Sequence, residues 1–371
     1  MKKKILFFHY DLKGGGAERV LINLLQHLDL DKYDVTLYTI FRNGPHVNSI
    51  PKGIKYKYFS RYEFYGFNKI MKLLPPRFWH NLFIKDEYDI EIGYLENSPT
   101  RIVSACPNPK TKKVSWLHIE IDDRETMFIG YRNEHEMLEC FNKLDHLVFV
   151  ANRTQECFRR LFPELQLPMS VIHNVNDFDR IYRLAEEDSP IELSPNELKI
   201  CAVNKLTKTK GFHRLVEACS RLKQDGLMDG VKVYILGKGI EKIALKIAID
   251  KADLNDHIKL LGFDPNPYRY VSKMDMFVCT SYREGYSTAV TESIALGVPV
   301  FTTDCSGMEE ILENGKYGMI VPNEDDAIYE GLKDLLTHRE KIKQYADAIA
   351  QAPRMTTQRL VDGYEKFFDS L

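Results

Sequence analysis

Short apolar runs alternate along this chain with segments whose apolar residues return at helical spacing. The run KILFFH (4–9) gives way to the polar, glycine-rich DLKGGG. AERVLINLLQHL (17–28) then sets Val20, Leu21, Leu24, Leu25 and Leu28 on one helical face, and VTLYTI (35–40) follows as a second strand. Strand, glycine turn, helix and strand in that order open a parallel α/β domain. Strand-like runs continue at IEIGYL (90–95), KVSWL (113–117), LVFV (147–150) and SVIHN (170–174), the last strand expected of this half.

The periodicity stops at AEEDSPIELSPNE (185–197), where prolines and carboxylates dominate, and a linker is expected there. It restarts with strands at KICAV (199–203), VKVYILG (231–237), IKLLG (258–262) and MFVCTS (276–281). VPVFTTD (298–304), GMEEIL (307–312) and GMIVP (318–322) carry the alternation on. Helices are expected at 211–223, 240–251, 265–272, 288–297, 325–337 and 339–350. A last helix, 356–370, carries Leu360, Tyr364 and Phe367 on one side. The pattern predicts two open α/β domains, residues 1–185 and 198–355. The segment 356–371 is expected to cross back to the first, and an active site is expected in the cleft between the carboxyl ends of the strands.

The totals agree with two domains, because 371 residues exceed one typical hydrophobic core. The 53 acidic and 51 basic residues leave a net charge of −2, which argues against nucleic acid as the main partner. Seven dispersed cysteines with no C-x-x-C pair suit a reducing cytoplasm better than a disulfide framework. The charged start MKKK precedes an apolar run too short for a signal or a membrane span, so a cytoplasmic location is expected.

Four places carry candidate chemistry. Gly14, Gly15 and Gly16 sit at a strand-to-helix turn, where bare backbone approaches a ligand closely, although the order is not G-x-G-x-x-G and a tight turn explains it as well. Lys205 and Lys210, in NKLTKTKGF, lie between a strand and a helix. There they would neutralise a diphosphate, or simply form a solvated basic loop like Lys208. Glu284 and Glu292 flank a hydroxyl-rich turn. With a helix beginning near Thr288, Glu292 falls one turn in and can reach a ribose diol, while the amides of Ser287, Thr288 and Ala289 face a phosphate. Complementing the helix dipole is the plainer use of that carboxylate. His118 ends a strand, where it would position a hydroxyl or serve only packing. His118, Glu120 and Asp122 are too few and too nearly collinear for zinc, and no metal is expected.

In order and spacing these segments resemble the retaining glycosyltransferases of the GT-B fold, the group numbered family 4. EGYSTAVTE (284–292) looks like that family's glutamate–seven residues–glutamate motif, and KLTKTKG (205–211) like its basic residue–four residues–lysine–glycine segment. HNVNDFDRI (173–181) is similar to the stretch preceding its linker, and GGGAERV (14–20) to its N-terminal glycine loop. Three departures stand out. Lys205 replaces the usual arginine, Asn174 and Asn176 surround Val175 where glycine is common, and Ser287 and Thr288 stand where a second glycine is usual.

The resemblance implies two Rossmann-like domains facing each other and a nucleotide-diphosphate sugar as donor, UDP-sugar before GDP-sugar. The donor would meet Gly15, Gly16, Lys205, Lys210, Glu284, Gly285, Tyr286, Ser287, Thr288 and Glu292. It assigns catalytic parts to His118, Glu284 and Lys210, requires no metal or cofactor, and implies front-face transfer with retention, Glu284 being the alternative nucleophile. The acceptor would be a glycan or a polyprenyl-linked glycan in the synthesis of bacterial capsule, exopolysaccharide or other cell-surface polysaccharide. Arg61, Lys69, Lys72, Arg77 and Lys85 interleave with Phe64, Tyr65, Phe67, Phe78 and Trp79. Residues 59–85 are therefore expected to touch the inner face of an anionic membrane, unless they only pack an insertion. A sugar-nucleotide epimerase of the same fold and a non-catalytic nucleotide-sugar-binding partner are the rivals.

Overall fold

The computed structural model describes residues 2–371 and divides them into two compact units, one of the residues up to 176 with 357–371 and one of residues 177–356. The first unit is built on seven strands: β1 (Lys3–His9), β2 (Tyr33–Phe41), β3 (Lys55–Ser60), β4 (Ile90–Gly93), β5 (Lys112–Leu117), β6 (His146–Phe149) and β7 (Met169–Val171). They lie in the order β3-β2-β1-β4-β5-β6-β7, and every pairing is parallel. The second unit has β8 (Leu198–Val203), β9 (Val231–Leu236), β10 (Ile258–Gly262), β11 (Met276–Cys279), β12 (Val300–Thr303) and β13 (Gly318–Val321), ordered β10-β9-β8-β11-β12-β13 and again all parallel.

Helices cover both faces of such sheets, so the strands are apolar on both sides rather than alternating. On β8, Ile200 and Ala202 enter one core of the second unit while Cys201 enters the other. Met276 and Val278 of β11 divide from Phe277 and Cys279 in the same way. The exception is β3, which the hydrophobic pattern does not mark. It is an edge strand, mostly exposed, whose Lys55 pairs with Asp34 at 2.6 Å and whose Lys57 pairs with Asp86. Charged side chains on an edge discourage further strand pairing and also erase the sequence signal.

The first unit ends at Asn176, short of the expected boundary at 185. Asp177 caps the helix Phe178–Ala185 by accepting from the Arg180 amide at 3.0 Å. That helix is held within the second unit, where Asn266 donates to the Leu184 carbonyl at 2.9 Å and Ser272 to that of Ala185 at 3.2 Å. The helix Thr357–Ser370 counts in the first unit. There Tyr364 stacks on Trp116 with ring centroids 4.8 Å apart, Phe368 meets Phe7 edge-on at 6.0 Å, and Tyr33 donates to Asp369 at 2.8 Å.

Residues 59–85 form two short helices, Phe67–Leu73 and Pro76–Phe83. Phe67 and Trp79 are buried among Met71, Phe83 and Ile84, which corrects their assignment to an outer surface. Tyr62, Phe64, Tyr65, Ile70, Leu73 and Phe78 remain exposed, Tyr65 completely. No helix of the described residues is long and apolar enough to cross a membrane.

Candidate functional site

In each sheet the strand order reverses once, between β8 and β11 in the second unit and between β1 and β4 in the first. Loops leaving the carboxyl ends of the strands part in opposite directions at such a point and leave a crevice suited to a ligand.

At the crevice of the second unit, the segment after β8 carries Lys205 and Lys210, and the segment after β11 carries Ser281 and Glu284. The Lys210 ammonium donates to Glu284 Oε1 at 2.7 Å, and the Ser281 hydroxyl donates to the same oxygen at 2.7 Å. The Glu284 side chain is only 9% exposed and that of Lys210 22%, so this is a charge-assisted pair largely withdrawn from water. Backbone geometry fixes it. Gly211 has φ +64°, and a Cβ there would stand 2.0 Å from the Thr280 carbonyl oxygen. Only glycine permits that approach, which lets Thr280 Oγ1 donate to the Gly211 carbonyl at 2.9 Å and the Tyr282 amide to that of Thr209 at 2.9 Å.

Beneath this turn lies Arg214, 2% exposed, whose place the sequence did not reveal. It donates to Asp325 and Asn323, each at 2.6 Å, and Asn323 in turn donates to the Tyr282 carbonyl at 2.9 Å. An arginine in the ordinary face of a helix gives no motif to read.

The helix Thr288–Ala295 starts where the spacing expects it. Ser287 is its N-cap, with its hydroxyl accepting from the Val290 amide at 3.4 Å, so that side chain has a local task beside any contact with a ligand. Glu292 is half-buried and accepts from the Tyr268 hydroxyl at 3.1 Å. Tyr268, in a short helix without a motif, is a second group the sequence reading passed over. Gly285 is buried, and Tyr286 is half-buried with its phenol pushed up by burial and by the negative charge of Glu310. The structure thus joins Lys210, Glu284 and Ser281 in one hydrogen-bonded group and gives Glu292 a separate partner. Lys205 stands exposed, its amide donating to Asn204 Oδ1 at 2.9 Å.

The crevice of the first unit is lined differently. Gly14, with φ +96°, and Gly15, the N-cap, lead into the helix Gly16–His27, and the Glu18 carboxylate lies over the Gly15 Cα. His118 follows β5, and its amide donates to Glu96 Oε2 at 3.3 Å. The His118 ring packs on Tyr94 at 4.6 Å, and its Nε2 is shielded from water. Burial, with the neighbouring His9, holds this imidazole down at about 3, and burial pushes the Glu96 carboxyl up.

Glu120 is engaged by Arg153 at 2.9 Å, and Asp123 caps the helix Arg124–Met127. Among the described residues, three donors of metal-binding type converge at His80, Glu91 and Cys106. His80 Nε2 lies 2.9 Å from Glu91 Oε2 and the Cys106 thiol 3.2 Å from Oε1, so the buried carboxylate already holds both groups. Burial and the Glu91 charge push the thiol up to about 11, and the cluster sits at the amino end of β4, away from the crevice.

His118 also fixes a pH response. The unfolded chain takes up a proton at this ring below about pH 6.5, whereas the folded protein resists until about pH 3. The unfolded state therefore binds more protons throughout that window, and stability falls as pH is lowered through it. His118→Asn, which does not titrate, is expected to show a shallower fall of the urea midpoint between pH 6.5 and 4 than the wild type. Parallel profiles would contradict the burial of the neutral ring.

Residues 185–354 match the family described as glycosyl transferases group 1. The chain is 28% identical over 362 residues, 92% of its own length and 93% of the relative's, to the N-acetylgalactosamine-N,N'-diacetylbacillosaminyl-diphospho-undecaprenol 4-alpha-N-acetylgalactosaminyltransferase of Campylobacter jejuni. It is 37% identical over 137 residues, 34% of its length and 33% of the relative's, to the amylovoran biosynthesis glycosyltransferase AmsK of Erwinia amylovora. Its fold superposes on Anabaena Alr3699/HepE in complex with UDP and glucose at a TM-score of 0.73 and 20% identity, covering 100% of both chains. The whole chain thus has the two-domain α/β fold of the GT-B glycosyltransferases, and its residues 185–354 are related in sequence to the glycosyl transferases group 1 family.

Proposed function

We propose that the chain moves a sugar, with retention of configuration, from a UDP-sugar to a glycan or polyprenyl-linked acceptor during synthesis of a bacterial cell-surface polysaccharide. The observation that carries this reading is the Lys210–Glu284 pair at the crevice between β8 and β11, beside a capped helix that bears Glu292. A partly exposed ammonium already oriented by a shielded carboxylate suits a diphosphate that gains charge as its bond to the sugar breaks. Lys205 adds a second cation, and the first amides of the helix Thr288–Ala295 add partial positive charge. Glu292 would take the ribose diol and Glu284 the sugar hydroxyls. The attacking acceptor hydroxyl would arrive on the face the diphosphate leaves and give its proton to a diphosphate oxygen. The UDP and glucose bound by the Anabaena protein and the diphospho-undecaprenol in the Campylobacter enzyme's name favour this choice of donor and acceptor.

The acceptor side is assigned to the first unit, and its outer surface suggests how a lipid-linked substrate is approached. Tyr62, Phe64, Tyr65, Ile70 and Leu73 are exposed alongside Arg61 and Lys69. Rings and aliphatic side chains next to bases suit the boundary between acyl chains and anionic headgroups.

The first test is a transfer assay across UDP-, GDP- and ADP-sugars with and without EDTA, with the product anomer read by NMR. One UDP-sugar should be consumed with retention despite EDTA. Glu292→Ala should lower kcat/KM about a hundredfold or more while the protein stays folded, as expected from losing a carboxylate that holds two hydroxyls. Inversion, EDTA-sensitive turnover or a fully active Glu292→Ala enzyme would contradict the reading. For the surface, sedimentation with phosphatidylglycerol vesicles should exceed that with phosphatidylcholine and fall in high salt and in an Arg61→Glu, Lys69→Glu double variant. Equal sedimentation in all arms would remove the membrane contact.

A further inference from the structure

His9 is the last residue of β1, at the edge of the crevice between β1 and β4 in the first unit, and it is 1% exposed. Its Nδ1 lies 2.6 Å from the Asp11 carbonyl oxygen. A carbonyl only accepts, so Nδ1 carries the proton and Nε2 presents a lone pair. That Nε2 is shielded from water and has no hydrogen-bond partner in the protein. Buried polar atoms are nearly always satisfied, and an orphan at a strand end beside a switch point implies a partner from outside the chain.

The surroundings narrow what that partner is. Tyr94 neighbours both imidazoles, its ring 6.4 Å from His9 and 4.6 Å from His118, and His118 Nε2 is orphaned as well. Burial outweighs the opposing influence of Glu18 and Asp11 and keeps His9 neutral below its ordinary range. A lone pair repels a phosphate oxygen and attracts an O–H.

We propose that His9 is a hydroxyl-recognising residue of the first unit, its Nε2 accepting a hydrogen bond from a hexose hydroxyl that enters at the crevice between β1 and β4. The proposal rests on the glycosyltransferase reading and adds to it a specificity-determining group that none of the sequence motifs contains. The hydroxyl belongs either to the donor sugar or to the acceptor sugar, and one experiment separates them.

Long-range proton–nitrogen spectra of the 15N-labelled full chain would follow the His9 Nε2 resonance, assigned by its loss in His9→Asn. The probes are UDP, UDP-glucose, and UDP with methyl N-acetyl-α-galactosaminide. The resonance is expected at the position of an unprotonated nitrogen, unmoved by UDP, and shifted by a sugar-bearing probe. A shift with UDP-glucose names the donor sugar, and a shift with the glycoside alone names the acceptor. A protonated Nε2 in the free chain, or no shift with either sugar, overturns the proposal and leaves the lone pair to a buried water.

A kinetic arm guards against a purely structural role. His9→Asn keeps a donor for the Asp11 carbonyl and lacks Nε2, so kcat/KM should fall about tenfold at an unchanged melting temperature. His9→Gln, which can return an acceptor to that position, should recover most of the loss. Equal losses in both variants, or losses that track the melting temperature, would contradict the assignment. A wild-type chain whose His9 responds to sugar but which transfers none would overturn the transferase reading and leave this one standing.

Discussion

The Glu284 carboxylate, mostly withdrawn from water, requires a cation, and Lys210 supplies it at 2.7 Å. Breaking a shielded pair from one side leaves an uncompensated charge, a change that typically costs about 3–5 kcal/mol. The surrounding structure serves to keep the two ends together. Gly211 allows the basic loop to cross the Thr280 carbonyl, Arg214 ties the segment after β11 to Asn323 and Asp325, and Ser281 takes up part of the carboxylate's remaining hydrogen-bonding capacity. The pair lies where the β10-β9-β8-β11-β12-β13 order reverses, so sheet topology and electrostatics select the same place.

Both units repeat one architectural solution with different chemistry. In the second, the crevice residues are charged and partly exposed, as suits an anionic ligand. In the first, they include neutral imidazoles, a tyrosine and a carboxyl whose pKa burial raises, with the Glu18 carboxylate at the glycine loop, a set that suits hydroxyl groups better than an anion. The glycine loop before the helix Gly16–His27 and the Gly211 turn occupy corresponding positions after β1 and β8. A parallel sheet covered on both faces has few other openings, so the difference in function is carried by the few side chains at strand ends.

Much of this was legible in the sequence. Strands buried on both faces leave continuous apolar runs, and all of the second unit's strands were marked by them. The edge strand β3 escaped because its side chains are mostly exposed, and the boundary at Asn176 escaped because the helix Phe178–Ala185 carries no sign of which unit it packs on. Spacing placed Glu284 and Glu292 around one helix start and Lys210 before another, and the hydrogen bond between Lys210 and Glu284 now joins the two places. His9, Arg214 and Tyr268 were invisible for a common reason. Each depends on a partner distant in the chain or on an unfilled hydrogen bond, and neither leaves a local pattern. Of the interleaved aromatics in 59–85, the sequence could not separate Phe67 and Trp79, which are core, from Phe64, Tyr65 and Phe78, which face water.

The central claim is that the Lys210 ammonium is shared between Glu284 and the diphosphate of a bound nucleotide. Calorimetric titration of UDP into the wild type, Lys210→Met, Glu284→Gln and the double variant tests it directly. The account predicts that Lys210→Met weakens UDP binding at least tenfold, that Glu284→Gln binds UDP as tightly as the wild type or more so, and that the double variant matches Lys210→Met. If Glu284→Gln weakened UDP as much as Lys210→Met, the pair would be a scaffold for the loop rather than the cation that receives the diphosphate.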